Sequence, residues 1–254
     1  MSSDDVWQPL LRALDRWNRA GRRAEFWLRD DDAIEPTEPL DRLLDLTARF
    51  EVPVMLAVIP AFTGEPLAHR LAEAPYASIA VHGWSHQNHA PAGEKKQELG
   101  AHRPREVVLG ELSRGLSLLA DLHQKRALPI LVPPWNRIDD GLIAELPRLG
   151  FTALSVYGPA KPASIKMINT DVDLMDWHGT RGCRAHADLV RDVVAQLDES
   201  FDGANRTVGL LCHHLVHDEQ AWAFLERLFE ITSRRGSRWR SAAGLMDPGK
   251  AIGA

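Results

Sequence analysis

Cysteine is nearly absent: Cys183 and Cys212 are the only two in 254 residues. Neither stands in a CxxC spacing, so a disulfide framework and a zinc finger are both excluded. Long apolar runs are missing too. No stretch approaches the about 18 apolar residues of a membrane helix. The opening Met1-Ser2-Ser3-Asp4-Asp5 carries acid where a secretory leader carries lysine or arginine, and no apolar segment follows. These features predict a cytoplasmic protein with no membrane insertion. Positive charge is not in surplus, with 30 Lys and Arg against 35 Asp and Glu and a net charge of -5, which speaks against a nucleic-acid partner. The one basic cluster, Arg234 to Arg240, reads as solvated surface. There is no internal repeat, no low-complexity tract, no linker and no G-x-G-x-x-G fingerprint of a dinucleotide fold.

What is present is an alternation of strand and helix patterns along the whole chain. With 44% hydrophobic and 26% charged residues the composition is that of an ordinary globular protein, and an α/β barrel takes about 250 residues as a single unit. Val6, Leu10, Leu11, Leu14 and Trp17 recur at helical spacing, which predicts an N-terminal helix within 1–21, with Asp4 or Asp5 as cap and Gly21 as stop. Strands are predicted at 24–29, 52–59, 79–81, 129–132, 151–156 and 207–212. Between them lie helices capped by Thr37, Asp139 and Asp218 and a long helix after Pro104. Near-continuous apolar strands imply a covered parallel sheet. Seven or so such units predict a single-domain α/β protein built as a closed or nearly closed parallel barrel, with a doubly wound open sheet as the alternative.

Polar clusters follow the predicted strands: Asp30 to Asp32, His82 to His89, Trp135-Asn136, Asp173 to His178 and His213-His214. In a parallel barrel these strand ends share one face, where sites are built. If the chain turns once as a helix after the third strand, His82 and His86 lie on one side and can share an ion. Eleven histidines give such a spacing by chance in about every second chain, so the coincidence with the other clusters carries the weight. A carboxylate and two histidines suit a zinc or similar ion that keeps one position open for water. A neighbouring carboxylate can act as base and a histidine across the site as acid, which describes hydrolysis of an acyl bond. His89, His178 and His217 are expected on the surface or behind the ligands. The loop 87–103 is the one long segment without periodicity, a lid or substrate wall.

From about residue 24 to 218 these segments resemble the polysaccharide deacetylases, the NodB-homology or carbohydrate esterase family 4 group. The resemblance implies a distorted (β/α)7-8 barrel, a divalent metal, most commonly zinc, and removal of an acetyl group from an acetylated sugar or polysaccharide precursor. Arg29-Asp30-Asp31-Asp32-Ala33 is similar to the family's paired aspartates, with Asp31 as base and Asp32 as metal ligand; a shift by one would name Asp30 and Asp31. His82-Gly83-Trp84-Ser85-His86 is similar to H-[ST]-x-x-H, with glycine in place of the hydroxyl residue, and implies His82 and His86 as ligands. Val132-Pro133-Pro134-Trp135-Asn136 is similar to R-x-P-[WY]-G, which implies Trp135 and Asn136 beside the substrate and the Trp135 N–H on the oxyanion.

The arginine that orients the base is missing there, and either Arg29 or Arg137 substitutes for it or catalysis is weakened. Asp173-Leu174-Met175-Asp176-Trp177 matches D-x-x-D-W, implying that Asp176 orients the acid histidine and Trp177 lines the acetyl pocket. Leu211-Cys212-His213 matches L-x-H, with Leu211 in the pocket and His213 as acid; His214 competes, since only one of two adjacent strand residues can face the site. A carbohydrate-binding barrel with impaired chemistry and a metal amidohydrolase acting on a non-acetyl amide are the alternative readings.

Overall fold

Strand β1, Glu25–Ala33, runs through the middle of an all-parallel sheet. A computed structural model describes residues 3–203 and 206–246. On one side β1 is followed by β2 (Val54–Val58), β3 (Ala77–His82), β4 (Ala127–Val132), β5 (Ala153–Leu154) and β6 (Lys166–Met167). On its other side lies β8 (Val208–Cys212), which carries β7 (Val172–Asp173). β1 is longer than its apolar letters predict and holds all three aspartates within it.

The sheet curls into a distorted barrel, and one stretch of chain closes it. The Ile168 N–H donates to Leu154 O at 2.9 Å and the Thr170 N–H to Val156 O at 3.0 Å, while the Asp171 N–H donates to Gly209 O at 2.7 Å. The segment thus leaves β5 and joins β8 within a few residues. Two short strands make the closure, where an ideal barrel would have two long ones.

Alternation along the strands divides the interior into two layers. Trp27, Met55, Ala57, Ala80, Ile130 and Val132 fill the lumen. Phe26, Leu28, Leu56, Val58, Ile79 and Leu210 face outward into the helical shell. Burying each such aliphatic or aromatic side chain contributes about 1.5–3 kcal/mol before chain entropy is subtracted. The lumen residues are small around Trp27, whose Nε1 donates to Asn169 O at 3.1 Å. A Cβ at Gly209 would lie 2.4 Å from that nitrogen, so only glycine fits there.

The helices follow their caps. α2 (Glu38–Arg49) begins at Thr37, whose hydroxyl accepts from the Leu40 N–H at 3.2 Å. α8 (Glu219–Arg234) begins at Asp218, which accepts from the Ala221 N–H at 2.9 Å. α1 (Ser3–Arg19) starts ahead of the two acids expected to cap it and packs on α7 (His186–Asp202). α3 (Glu65–Ala72) and α4 (Arg105–His123) complete the long shell.

The single helix expected from 139 to 150 is two one-turn pieces, α5 (Asp140–Ile143) and α6 (Leu146–Leu149). Pro147 breaks it, because its ring would collide with the carbonyl of Ile143 and it has no N–H to give. At the end of the chain β9 (Arg238–Trp239) pairs with the start of β1, and α9 (Ala242–Met246) sets Ala242 against the lumen core. The basic cluster is part of this joint. Arg235 pairs with Asp15, Arg240 with Glu25 at 2.9 Å and Arg234 with Glu230 at 2.8 Å.

Candidate active site

Three consecutive aspartates on a regular strand would point in, out and in. β1 departs from that rule at one residue. Its register with β2 runs Asp30 to Leu56 and then Ala33 to Val58, so one extra residue is inserted, and Asp32 takes φ 75°. This is a bulge, and aspartate is among the few residues that accept the left-handed conformation it needs. As a result Asp31 and Asp32 both reach the mouth of the barrel, and Asp30 faces the helical shell.

Asp32 meets two histidines there. His82 Nε2 lies 3.0 Å and His86 Nε2 3.3 Å from the same Asp32 oxygen, and one ligand atom from each residue falls within 4.8 Å of the others. His82 is aimed from behind, since its Nδ1 lies 2.9 Å from Val132 O at the end of β4. That bond places the proton on Nδ1 and leaves Nε2 for a ligand. The two histidines do not meet through a helical turn as the spacing suggests. Gly83 at φ 59° and His86 at φ 56° fold the chain back instead, and the rings approach to 5.1 Å.

Burial would raise the Asp32 carboxyl pKa, but the bond from His82 and the charges of His82, His213 and His86 outweigh it and hold Asp32 well below the usual carboxylate range. Burial and the His82 charge push His86 down. His82 goes up although burial opposes it, because Asp32 and Asp31 lie against it. Two imidazole nitrogens and an ionised oxygen converging this way are a donor set for a divalent ion, and the fit rests on that convergence and on the fixed His82 ring.

Asp31 lies beside this group in a different setting. Arg29, two residues earlier on the same face of β1, is fully buried. Its Nη2 donates to Asp31 Oδ2 at 3.0 Å, and its Nε lies 2.9 Å from Oδ1. The same guanidinium donates to Asn136 Oδ1 at 2.6 Å and to Ser155 Oγ at 2.9 Å. Of the two arginines offered for the missing one, Arg29 is in place. Arg137 instead donates to Lys96 O in the long loop. Asn136 and Trp135 both take positive φ, 57° and 54°, so the bond from Arg29 also pins the turn that carries Trp135. The Trp135 ring sits 4.4 Å from that of His86.

The two histidines after β8 part company. His213 turns to the mouth, with Nε2 4.0 Å from Asp31 Oδ2. His214 turns to the shell, where its Nδ1 lies 2.5 Å from Asp30 Oδ1 and its N–H donates to Asp30 Oδ2 at 2.8 Å. Burial works against this pair, yet mutual attraction lowers Asp30 and raises His214. Both open choices of register therefore have one geometric answer, which sets Asp31, Asp32 and His213 together and pairs Asp30 with His214.

His217 packs behind them, with its ring 4.5 Å from Trp222. Burial, aided by the charges of His214 and His213, lowers it to about 4 from 6.5. A histidine depressed in the folded state stays neutral there, so the unfolded chain binds more protons across that window and stability falls as pH falls. The loss is at most about 3 kcal/mol. Urea unfolding at pH 7 and at pH 4.5 should show a smaller loss for His217→Gln than for the wild type. Equal losses would reject this account.

One expected role is not supported by the geometry. Asp176 accepts from the Gly179 and Thr180 N–H groups, each at 3.0 Å, and caps its own turn. His213 Nδ1 is buried with no hydrogen-bond partner among the described residues, so Asp176 does not orient it. Asp173 is the carboxylate on that side. Its Oδ2 accepts from Trp177 Nε1 at 2.8 Å, and Trp177 stands edge-on to His213 at 4.7 Å. Burial raises Asp173, with His213 pulling the other way. Trp177 is 42% exposed at the rim, whereas Leu211 is fully buried at the register position between Arg29 and Asp173.

A protein assigned as a polysaccharide deacetylase from Mycobacterium smegmatis superposes with a TM-score of 0.64 at 16% identity, over 90% of this chain and 91% of the other. A family 4 carbohydrate esterase from Streptomyces lividans, in complex with acetate, gives 0.57 at 15% identity, over 85% and 91%. The Bc1960 peptidoglycan N-acetylglucosamine deacetylase gives 0.58 at 17% identity, over 88% of each chain. The fold is that of the polysaccharide deacetylases. No family model matches the sequence, and no curated protein matches it.

Against the deacetylase fold, three residues stand out that the sequence did not single out for these roles. Ser155 and Asp173 hold Arg29 and Trp177, and Glu98 is a buried carboxylate beneath the His82–His86 turn. Gly83, standing where a hydroxyl residue was expected, makes room for that carboxylate, but the letter alone does not name Glu98.

Proposed function

We propose that the protein is a metal-dependent hydrolase that removes an acetyl group from an acetylated sugar or polysaccharide precursor, with Asp32, His82 and His86 holding a divalent ion, zinc by its donor set. The observation that carries this reading is the placement of Asp31 and His213 at the ends of the neighbouring strands β1 and β8, 4.0 Å apart, beside the three converging ligands. When bound, such an ion polarises the acyl carbonyl and makes water a nucleophile near neutral pH.

The protein groups divide the remaining work. Asp31, oriented by Arg29, takes the proton from the attacking water. The Trp135 N–H receives the negative charge that develops on the carbonyl oxygen. His213 delivers a proton to the departing amine or alcohol. Leu211 and Trp177 border the space for the acetyl methyl, and Asp173 keeps the Trp177 ring against His213. The acetate-bound Streptomyces esterase and the N-acetylglucosamine deacetylase, alike in fold, support the acyl group and the sugar.

The test is metal content per chain together with acetate release from a panel of acetylated sugars and an aryl acetate. One ion per chain and acetate release are expected. Asp32→Ala should weaken metal binding by more than the roughly 10–100-fold that loss of an outer partner costs. Stoichiometric metal and sugar binding without acetate release would instead point to an impaired carbohydrate-binding barrel, and turnover only on other amides to a different amidohydrolase.

A further inference from the structure

We propose that Glu98 is the positioning residue for His86, and that through it the long loop 87–103 controls metal affinity. This rests on the reading that Asp32, His82 and His86 hold a divalent ion. The two histidines are secured very differently. His82 ends β3, is laddered to β4 and has its ring fixed by Val132 O. His86 lies beyond the strand on a left-handed residue.

The turn between them is shaped from below by one side chain. Glu98 Oε1 accepts from the Ser85 N–H at 2.7 Å and from the Ser85 hydroxyl at 3.1 Å, and Oε2 accepts from the Trp84 N–H at 3.2 Å. On the acceptor side, the Trp84 carbonyl is held by the Ala61 N–H at 2.9 Å. Glu98 is 1% exposed, so these three donors are what its charge has in place of water.

Gly83 completes the fit. A Cβ there would fall 2.0 Å from Glu98 Oε2 and 2.7 Å from Pro134, in addition to the strain of its φ of 59°. The carboxylate occupies the space that a side chain at position 83 would need. The turn is therefore held by a group arriving from the far end of the loop, and His86 is aimed only while that end is docked. Arg103 ties the same end down, donating to Glu98 O at 3.3 Å and to Glu111 at 2.8 Å.

The experiment is a double-mutant cycle on zinc affinity, read by competition with a chromogenic chelator in wild type, Glu98→Ala, His86→Ala and the double variant. Glu98→Ala should weaken zinc binding about 10–100-fold, the usual cost of losing a group that orients a ligand. The double variant should bind no more weakly than His86→Ala alone, because Glu98 acts through that ligand. A general loss of packing would lower affinity in both backgrounds alike.

Glu98→Gln should fall between, since one oxygen can still serve Ser85 while its NH₂ faces the Trp84 N–H. If Glu98→Ala does not fold, Glu98→Gln carries the same cycle. Wild-type affinity in the folded Glu98 variant, or an equal loss in the His86→Ala background, overturns the proposal. A wild-type chain that binds no zinc overturns the metal reading, and this proposal with it.

Discussion

Asp31→Asn is expected to keep one divalent ion per chain and to lose turnover by about 10²–10⁴-fold, the usual worth of a positioned general base. The amide keeps the shape of the carboxylate but turns an NH₂ toward one Arg29 N–H and leaves that buried charge unpaired, so stability should fall as well, and turnover and metal content are to be compared on the folded protein. Asparagine cannot accept the proton of the attacking water, and the loss should appear in kcat with KM little changed. Asp32, which meets His82 and His86, is untouched by the change, so metal content should stay at the wild-type value. Undiminished acetate release in a metal-replete Asp31→Asn protein would remove the base assignment. Loss of the ion in that variant would mean that Asp31 is a ligand.

Arg29→Gln should be the most damaging single change to stability. The guanidinium is fully buried and serves Asp31, Asn136 and Ser155 at once. Removing one partner of a buried pair leaves an uncompensated charge and costs about 3–5 kcal/mol. Set against a total of about 5–15 kcal/mol, that is a large share. Arg29→Lys should not restore the native state, because an ammonium has no planar fork to reach three acceptors in fixed directions. Urea unfolding gives the number directly. A cost below about 1 kcal/mol, with turnover unchanged, would show that Asp31 is held and charged by something else.

Much of this architecture was legible from periodicity. Apolar runs such as Val54–Val58 and Val208–Cys212 are buried on both faces, and that pattern announces a covered parallel sheet. The caps at Thr37 and Asp218 are local hydrogen bonds and could be read from local sequence. The division at Pro147 is equally local, since a proline inside a helical pattern is a breaker.

What the letters did not settle depends on single backbone angles. No pattern distinguishes a regular Asp-Asp-Asp strand from one with a bulge at Asp32, yet the bulge decides which carboxylates share the site. The same holds for His213 against His214, whose directions follow from where Asp30 points. Asp176 meets the Gly179 and Thr180 N–H groups and not His213, because a motif fixes positions and leaves side-chain partners open. Glu98 was invisible for the opposite reason, since it acts across 13 or 14 residues of aperiodic loop.

The origin of Arg29 has a consequence for detecting other chains of this kind. Because the cation and the carboxylate it steers lie two apart on one strand, the pair is contained in a single tripeptide, Arg29-Asp30-Asp31. The distant segment Val132–Asn136 then has to supply only an acceptor to that cation, the Asn136 amide oxygen. A search profile that demanded an arginine in that segment would pass such sequences over. One that accepts a basic residue two places ahead of the aspartate, with asparagine closing the Pro-Trp turn, should gather them, and a recruited chain whose arginine lacked an asparagine partner would show that the two do not travel together.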